Sequence, residues 1–257
     1  MALIDDIAYG YKLDEASGNA LDVNLSNDLT GTGSPGSGSG LFGTCRTFNG
    51  SQYFSRADNA TLSMANIGFT VMAMVAPGSS TISGTGSTIV GKAGGNDLEY
   101  QLQYVGSAGA QSKYRWRLSS GSGFANLNQL YATSFGAATA GVWNVLFGWH
   151  DAVNDVSGIE VDGVSNTTSY SAGSYDSGAA LEIGNYSFYS EPWYGSIQQV
   201  FVWKNRVLSS TERGDIRAAI AGGTGYPWVA GGGPTVWRQS PFRSRVFRSS
   251  VIRGVRC

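Results

Sequence analysis

Two carboxylates stand two residues apart in Ile159-Glu160-Val161-Asp162-Gly163-Val164. Side chains alternate along a β-strand, so Glu160 and Asp162 would share a face. Two carboxylates about 5–10 Å apart across a groove are what glycoside hydrolysis requires. Here Gly163 ends the strand, and Asp-Gly is a hairpin signal. The expected reading is a turn with an exposed acid, without catalysis. His150 is the single histidine, so any Ser-His-Asp or Cys-His device must use it. Lying between an apolar strand and Asp151, it reads as a structural hydrogen-bonding residue. No Gly-rich phosphate loop joins a strand to a helix. Cys45 and Cys257 form neither a disulfide framework nor a zinc spacing.

Oxygen-bearing side chains cluster at Asp22, Asn24, Asn27 and Asp28. Their spacing suits calcium, which takes carboxylate, amide and carbonyl oxygens. The same residues are ordinary turn formers, and both readings stand. Aromatic residues cluster at Tyr186, Phe188, Tyr189, Trp193 and Tyr194. Tyr186, Tyr189, Trp193 and Tyr194 are candidates to stack on sugar rings, and the competing expectation is that they pack the loop onto the core. Tyr170 and Tyr175 form a lesser version of the same pattern.

The elements that must position these residues are mostly strands. The chain has 257 residues, 37 of them glycine, and only 14% are charged. Apolar alternation marks strands over 7–13, 48–54 (entered or left through the Asn49-Gly50 turn), 69–75, 88–92, 99–105, 113–118, 142–149, 181–185 and 197–203, with 159–164 a hairpin. In the last, Ile197, Gln199, Phe201 and Trp203 are expected on one face, and Gln198, Val200 and Val202 on the other. Ser209 or Ser210 can cap one short helix, with Glu212 in its first turn and Gly222-Gly223 at its end. Residues 31–40, GTGSPGSGSG, read as a loop.

Charge divides the chain. All 18 acidic residues and 11 of the 17 basic ones lie in residues 1–237, leaving −7 there, while the last twenty residues carry +6. After the Gly-rich stretch 223–233, residues 234–257 contain no acid and interleave arginine with apolar side chains. Strand addition onto a protein partner would use both kinds of side chain. The anchoring candidates are Trp237, Arg238, Phe242, Arg243, Arg245, Phe247, Arg248 and Arg253. Phosphate binding would not need the apolar set, and the prolines disfavour an amphipathic membrane helix. The start, MALIDDIAYGYK, has neither the basic nor the apolar region of a secretion leader. No apolar run approaches the roughly 20 residues that cross a bilayer.

Eight pieces, in order, carry a family resemblance: LDEASGNALD at 13–22, FNGSQYF at 48–54, FTVMAMVAP at 69–77, IVGKAG at 89–94, the strand from Trp143 to His150-Asp151, the IEVDGV hairpin, LEIGN at 181–185, and WYGSIQQVFVWKNRVLSSTE at 193–212. Together they resemble the concanavalin A-like, laminin-G-like jelly-roll family. The resemblance implies an all-β sandwich of two antiparallel sheets over residues 1–222, with one sheet concave and one short C-terminal helix. The linker 223–233 and the extended basic arm lie outside it. Related glucanases carry Glu-x-Asp-x-x-Glu on one strand; Ser165 replaces the third acid here, and a non-enzymatic protein is expected. Combined with the arm, the resemblance points to a structural accessory protein of a phage particle, a capsid decoration or tail-associated protein. Its arm would bind a capsid or tail protein or a second copy, and its sandwich would hold glycan weakly. The alternative is a calcium-assisted carbohydrate-binding module of a secreted or surface protein.

Overall fold

The computed structural model describes residues 3–228. The arm residues Trp237 to Arg253 and Cys257 lie outside the described residues. In chain order the strands are β1 (Ile7–Tyr11), β2 (Thr30–Thr32), β3 (Gly36–Ser39), β4 (Thr44–Asn49) and β5 (Tyr53–Arg56). They continue with β6 (Phe69–Pro77), β7 (Ser87–Gly94), β8 (Asp97–Val105), β9 (Lys113–Leu118) and β10 (Asn128–Tyr131). The last five are β11 (Asn144–Asp151), β12 (Val156–Val161), β13 (Val164–Ser169), β14 (Leu181–Ile183) and β15 (Tyr194–Lys204). The helices are α1 (Ser79–Ser83) and α2 (Ser210–Ala221).

Two antiparallel sheets form. The larger runs β13-β12-β11-β6-β15-β4-β3, with β1 also paired to β15; the smaller runs β10-β9-β8-β7-β14-β5-β2. Strand β6 explains the layering: all nine of its residues are buried. Phe69, Val71, Ala73 and Val75 enter the core between the sheets. Met72 and Met74, on the opposite face, enter a second apolar layer. An antiparallel strand with one wet face would alternate apolar and polar residues; this one has no wet face, because α2 covers the outside of the larger sheet.

Helix α2 is held in place by named contacts. The Ser209 side chain accepts from the Glu212 N–H, and Glu212 reaches back to Ser209, a reciprocal N-terminal cap. Leu208, Ile216 and Ile220 pack on Phe147, Trp149 and Trp203. Arg213 Nε donates to Glu160 Oε2 at 3.0 Å, and Arg217 pairs with the same carboxylate. The Arg213 guanidinium also lies 4.1 Å from the Trp149 ring centroid.

The alternation expected in the last strand fails at one residue. The pairing of β15 with β6 shifts register between Gln198 and Val200, and Gln199 has φ = 61°. This β-bulge reverses the faces beyond it. Ile197 therefore joins Val200 and Val202 in the central core, while Phe201 and Trp203 turn outward beneath α2.

Packing also runs past the expected boundary at 222. Tyr226 stacks on Phe201 with ring centroids 4.7 Å apart, and Trp228 meets Phe201 at 4.8 Å and Trp203 at 6.0 Å. Trp228 is buried, so this part of the Gly-rich stretch belongs to the outer apolar layer. Burying a large aromatic side chain contributes about 2–3 kcal/mol, which gives the reason.

Candidate functional site

The residues set out for calcium form a turn. Asp22 is buried, and its two carboxylate oxygens accept the backbone N–H groups of Gly10, Asn24, Ser26 and Asn27. Asp28 Oδ1 accepts the Asp22 N–H at 2.8 Å, and Asn27 Oδ1 accepts from Asn59 and Thr61. The Asn24 side-chain amide donates to the Ile7 carbonyl. A cation would compete with the donors that already hold both Asp22 oxygens, one Asp28 oxygen and Asn27 Oδ1. The four residues come together in one turn whose hydrogen bonds are those of a structural turn, and among the described residues no three of His, Cys, Asp and Glu group as metal ligands.

The Glu160 and Asp162 carboxylates make structural contacts. Asp162 is the exposed acid of the hairpin turn, whereas Glu160 is buried against Arg213 and Arg217 and also accepts from Ser165 Oγ. Asp162 turns away to accept from Asn144 Nδ2 and the Val145 N–H at 2.7 and 2.8 Å. His150 is fully buried, faces Asn66 Oδ1 at 3.4 Å, and packs edge-on to Phe69 and Tyr170. Burial pushes its pKa down, against the pull of Asp151. Cys45 is a buried free thiol.

The aromatic candidates separate by burial. Trp193 is fully buried, and Tyr186 is buried with its hydroxyl on the Gly95 carbonyl at 2.7 Å. Neither can offer a ring face to a ligand. Tyr194 is half-buried over the β4–β5 turn, where a Cβ on Gly50 would come within 2.2 Å of its ring. Gly50 itself has φ = 94°, as an Asn-Gly turn requires. Tyr189 is 46% exposed and Phe188 61%. They meet edge to face with centroids 5.0 Å apart, and Tyr189 donates to Asn96 Oδ1 at 2.8 Å.

Beside this aromatic rim lies a polar array absent from the sequence expectation. Register places Gln129, Arg117 and Gln101 in one row across β10, β9 and β8, and Tyr131, Arg115 and Gln103 in the next. All six point away from the core, because Leu102, Tyr114 and Trp116 between them point into it. Arg115 Nε donates to Gln103 Oε1 at 2.6 Å, and its Nη1 to Gln129 and the Tyr131 hydroxyl at 2.7 and 3.0 Å. Arg117 Nη1 donates to Gln101 Oε1 at 2.8 Å, and its guanidinium lies 5.5 Å from the Phe124 centroid. Phe124 in turn lies 6.2 Å from Tyr189. Burial lowers the Arg117 pKa first, and the neighbouring Arg115 charge adds to that. The available signal was the alternation of Lys113, Arg115 and Arg117 with Tyr114 and Trp116.

The segment 185–193 walls this array. Glu191 Oε2 accepts from Thr88 Oγ1, Gln101 Nε2 and Gln103 Nε2. At the other end Ser187 donates twice to Glu182, which is also buried. The segment therefore splits the outer face of the smaller sheet. On its far side a cleft of about 460 Å³ is lined by Asp28, Thr30, Ser55, Arg56, Asp58 and Asn59. Behind Asp58, buried Lys92 pairs with Asp58 and Glu99 at 2.9 and 2.8 Å.

Residues 48–212, more than half of the chain, match the Laminin_G_3 family, described as the concanavalin A-like lectin/glucanases superfamily. The protein belongs to this superfamily. Comparison of its sequence with curated proteins gives no match. The fold of this superfamily member is similar to the binding domain of Paraclostridial Mosquitocidal Protein 1, with a TM-score of 0.64 at 11% identity over 82% of the chain. It spans 51% of that toxin domain. Domain 4 of AbnA, a GH43 extracellular arabinanase from Geobacillus stearothermophilus solved with arabinotriose, aligns with a TM-score of 0.58 at 17% identity, over 80% of this chain and 96% of that one. The binding domain of botulinum neurotoxin serotype G gives 0.61 at 10% identity, over 80% and 49%. At these identities the likeness is one of fold.

Proposed function

We propose that the protein is a non-catalytic carbohydrate-binding module. The observation that carries this is the exposed Phe188–Tyr189 pair beside an ordered row of guanidinium and amide groups. A sugar ring offers C–H faces that pack on aromatic rings and hydroxyl groups that pair with fixed polar side chains. Orientation is prepaid, because Gln103, Gln129 and Tyr131 already hold Arg115. Glu160 and Asp162, the two carboxylates nearest to a glycosidase pattern, are both engaged in holding the fold. The superfamily, and the arabinanase domain solved with arabinotriose, support the same reading.

The charge split supports a second part: the arm 234–257 attaches the module to a larger assembly. A phage particle and a cell-surface protein fit that split equally. The glycan reading is tested by titrating soluble polysaccharides into the protein and into Phe188→Ala/Tyr189→Ala. The variant should lose about tenfold or more in affinity, as for a contact centre losing aromatic anchors, with its melting temperature nearly unchanged. Unaltered affinity would remove the aromatic rim from the site.

A further inference from the structure

On the smaller sheet's outer face, two arginines stand side by side with only neutral hydrogen-bond partners. Arg115 is held by Gln103, Gln129 and Tyr131, and Arg117 by Gln101. Residues two apart on a strand project from the same face about 7 Å from each other, so the like charges repel. Glu191, the carboxylate that borders them, is taken up by Thr88, Gln101 and Gln103 instead. Arg117 is 9% exposed, and its Nε is buried without a partner. In a body that carries −7 over residues 1–237, two adjacent cations with one bordering carboxylate, Glu191, and no direct ion pair to it leave a local excess of positive charge.

We infer that the Arg115–Arg117 pair recognises an anionic sugar, one bearing a carboxylate or a sulfate ester, beside the Phe124–Tyr189 rim. Arg115 Nε and Nη2 both donate to Gln103, and Arg117 Nε is buried, so the donors left for a ligand are the remaining Nη2 N–H groups, one from each guanidinium to the two oxygens of such a group. Gln101 and Gln103 present their carbonyl oxygens to the arginines because Glu191 holds their amide nitrogens. The donors are therefore fixed before ligand arrives. The inference rests on the glycan-binding reading and narrows it to a charge class.

The test uses the full chain, so that the basic arm is identical in every variant. Its probes are polygalacturonate, the same polymer fully methyl-esterified, and dextran sulfate, titrated calorimetrically into wild type, Arg115→Gln/Arg117→Gln and Tyr189→Ala. The expected result is tighter binding of an acidic polymer than of the ester, reduced at least tenfold in the double variant. Arg-dependent binding of either acidic polymer supports the proposal, and the tighter one identifies the anion. If the double variant fails to fold, half-buried Arg115→Gln alone should still lose threefold or more. Acidic polymers held equally by wild type and the arginine variants would overturn the proposal and assign that binding to the arm. Equal affinity for ester and acid, lost in Tyr189→Ala, would overturn it while leaving the glycan reading intact. Binding to none of the three polymers would overturn both.

Discussion

Glu191 accepts a hydrogen bond from Gln101 at 2.9 Å, and thereby decides which end of that amide faces Arg117. The same carboxylate oxygen holds Gln103 at 3.1 Å, whose carbonyl oxygen faces Arg115. One loop residue thus orders two strand residues, which order two arginines. Glu191→Ala should release both buried amides and cost about 1–3 kcal/mol, the penalty for unsatisfied buried polar groups. Ligand affinity should fall with it, measured by thermal melting and titration on the same samples. A variant with unchanged affinity and stability would dissolve this relay.

Trp193 offers a contrast with the exposed rings. Being fully buried, it should cost about 3–5 kcal/mol on replacement by alanine through the cavity left behind. Chemical denaturation should record that loss, and the folded fraction should retain its affinity for ligand.

Glu160 pairs with both Arg213 and Arg217 under helix α2. Glu160→Gln keeps the shape but strands two cations in a buried site, and breaking such a group costs about 3–5 kcal/mol. Replacing Glu160, Arg213 and Arg217 together by apolar residues of similar size should recover part of the loss. A triple variant less stable than Glu160→Gln would contradict this account.

His150 makes stability depend on pH in a known direction. Burial lowers its pKa in the folded protein, so below about 6.5, the ordinary value, the unfolded chain gains a proton that the fold resists. Stability is then fully present above that pH and is lost as the pH falls. Replacing His150 by glutamine should flatten the urea-midpoint profile between pH 7 and 5 relative to wild type. A parallel profile would assign the acid sensitivity elsewhere.

Two truncations separate the body from the arm. A chain ending at Gly222 loses Tyr226 and Trp228 from the outer apolar layer and should be destabilised by several kcal/mol. A chain ending at Gly233 keeps both residues and should melt like the full chain. Light scattering at low and high salt then tests the arm: an assembly present only in the full chain supports attachment, and identical masses for both chains argue against self-association through it.

Local rules made much of the fold legible. The apolar run of β6, the Asn-Gly turn at Gly50 and the Ser209–Glu212 cap each depend on neighbours within a few residues, and each stands where its sequence puts it. The order of such pieces was enough for the superfamily. The faces of β15 were different: a single bulge at Gln199 turns Phe201 and Trp203 outward. Alternation has no marker for an inserted residue, because the bulge is set by pairing with β6.

The composition of the 186–194 segment determined that aromatic rings would gather there, and that of 22–28 that oxygen atoms would. Only tertiary structure decided their use. Trp193 and Tyr186 are drawn under the loop, whereas Phe188 and Tyr189 stay in water; Asp22 meets four backbone N–H groups from the turn and from β1. The arginine site needed more still, since Gln101, Arg117, Gln129 and Glu191 come from four distant stretches of chain. Burial and hydrogen-bond partners are properties of the packed whole, and residue type alone does not carry them.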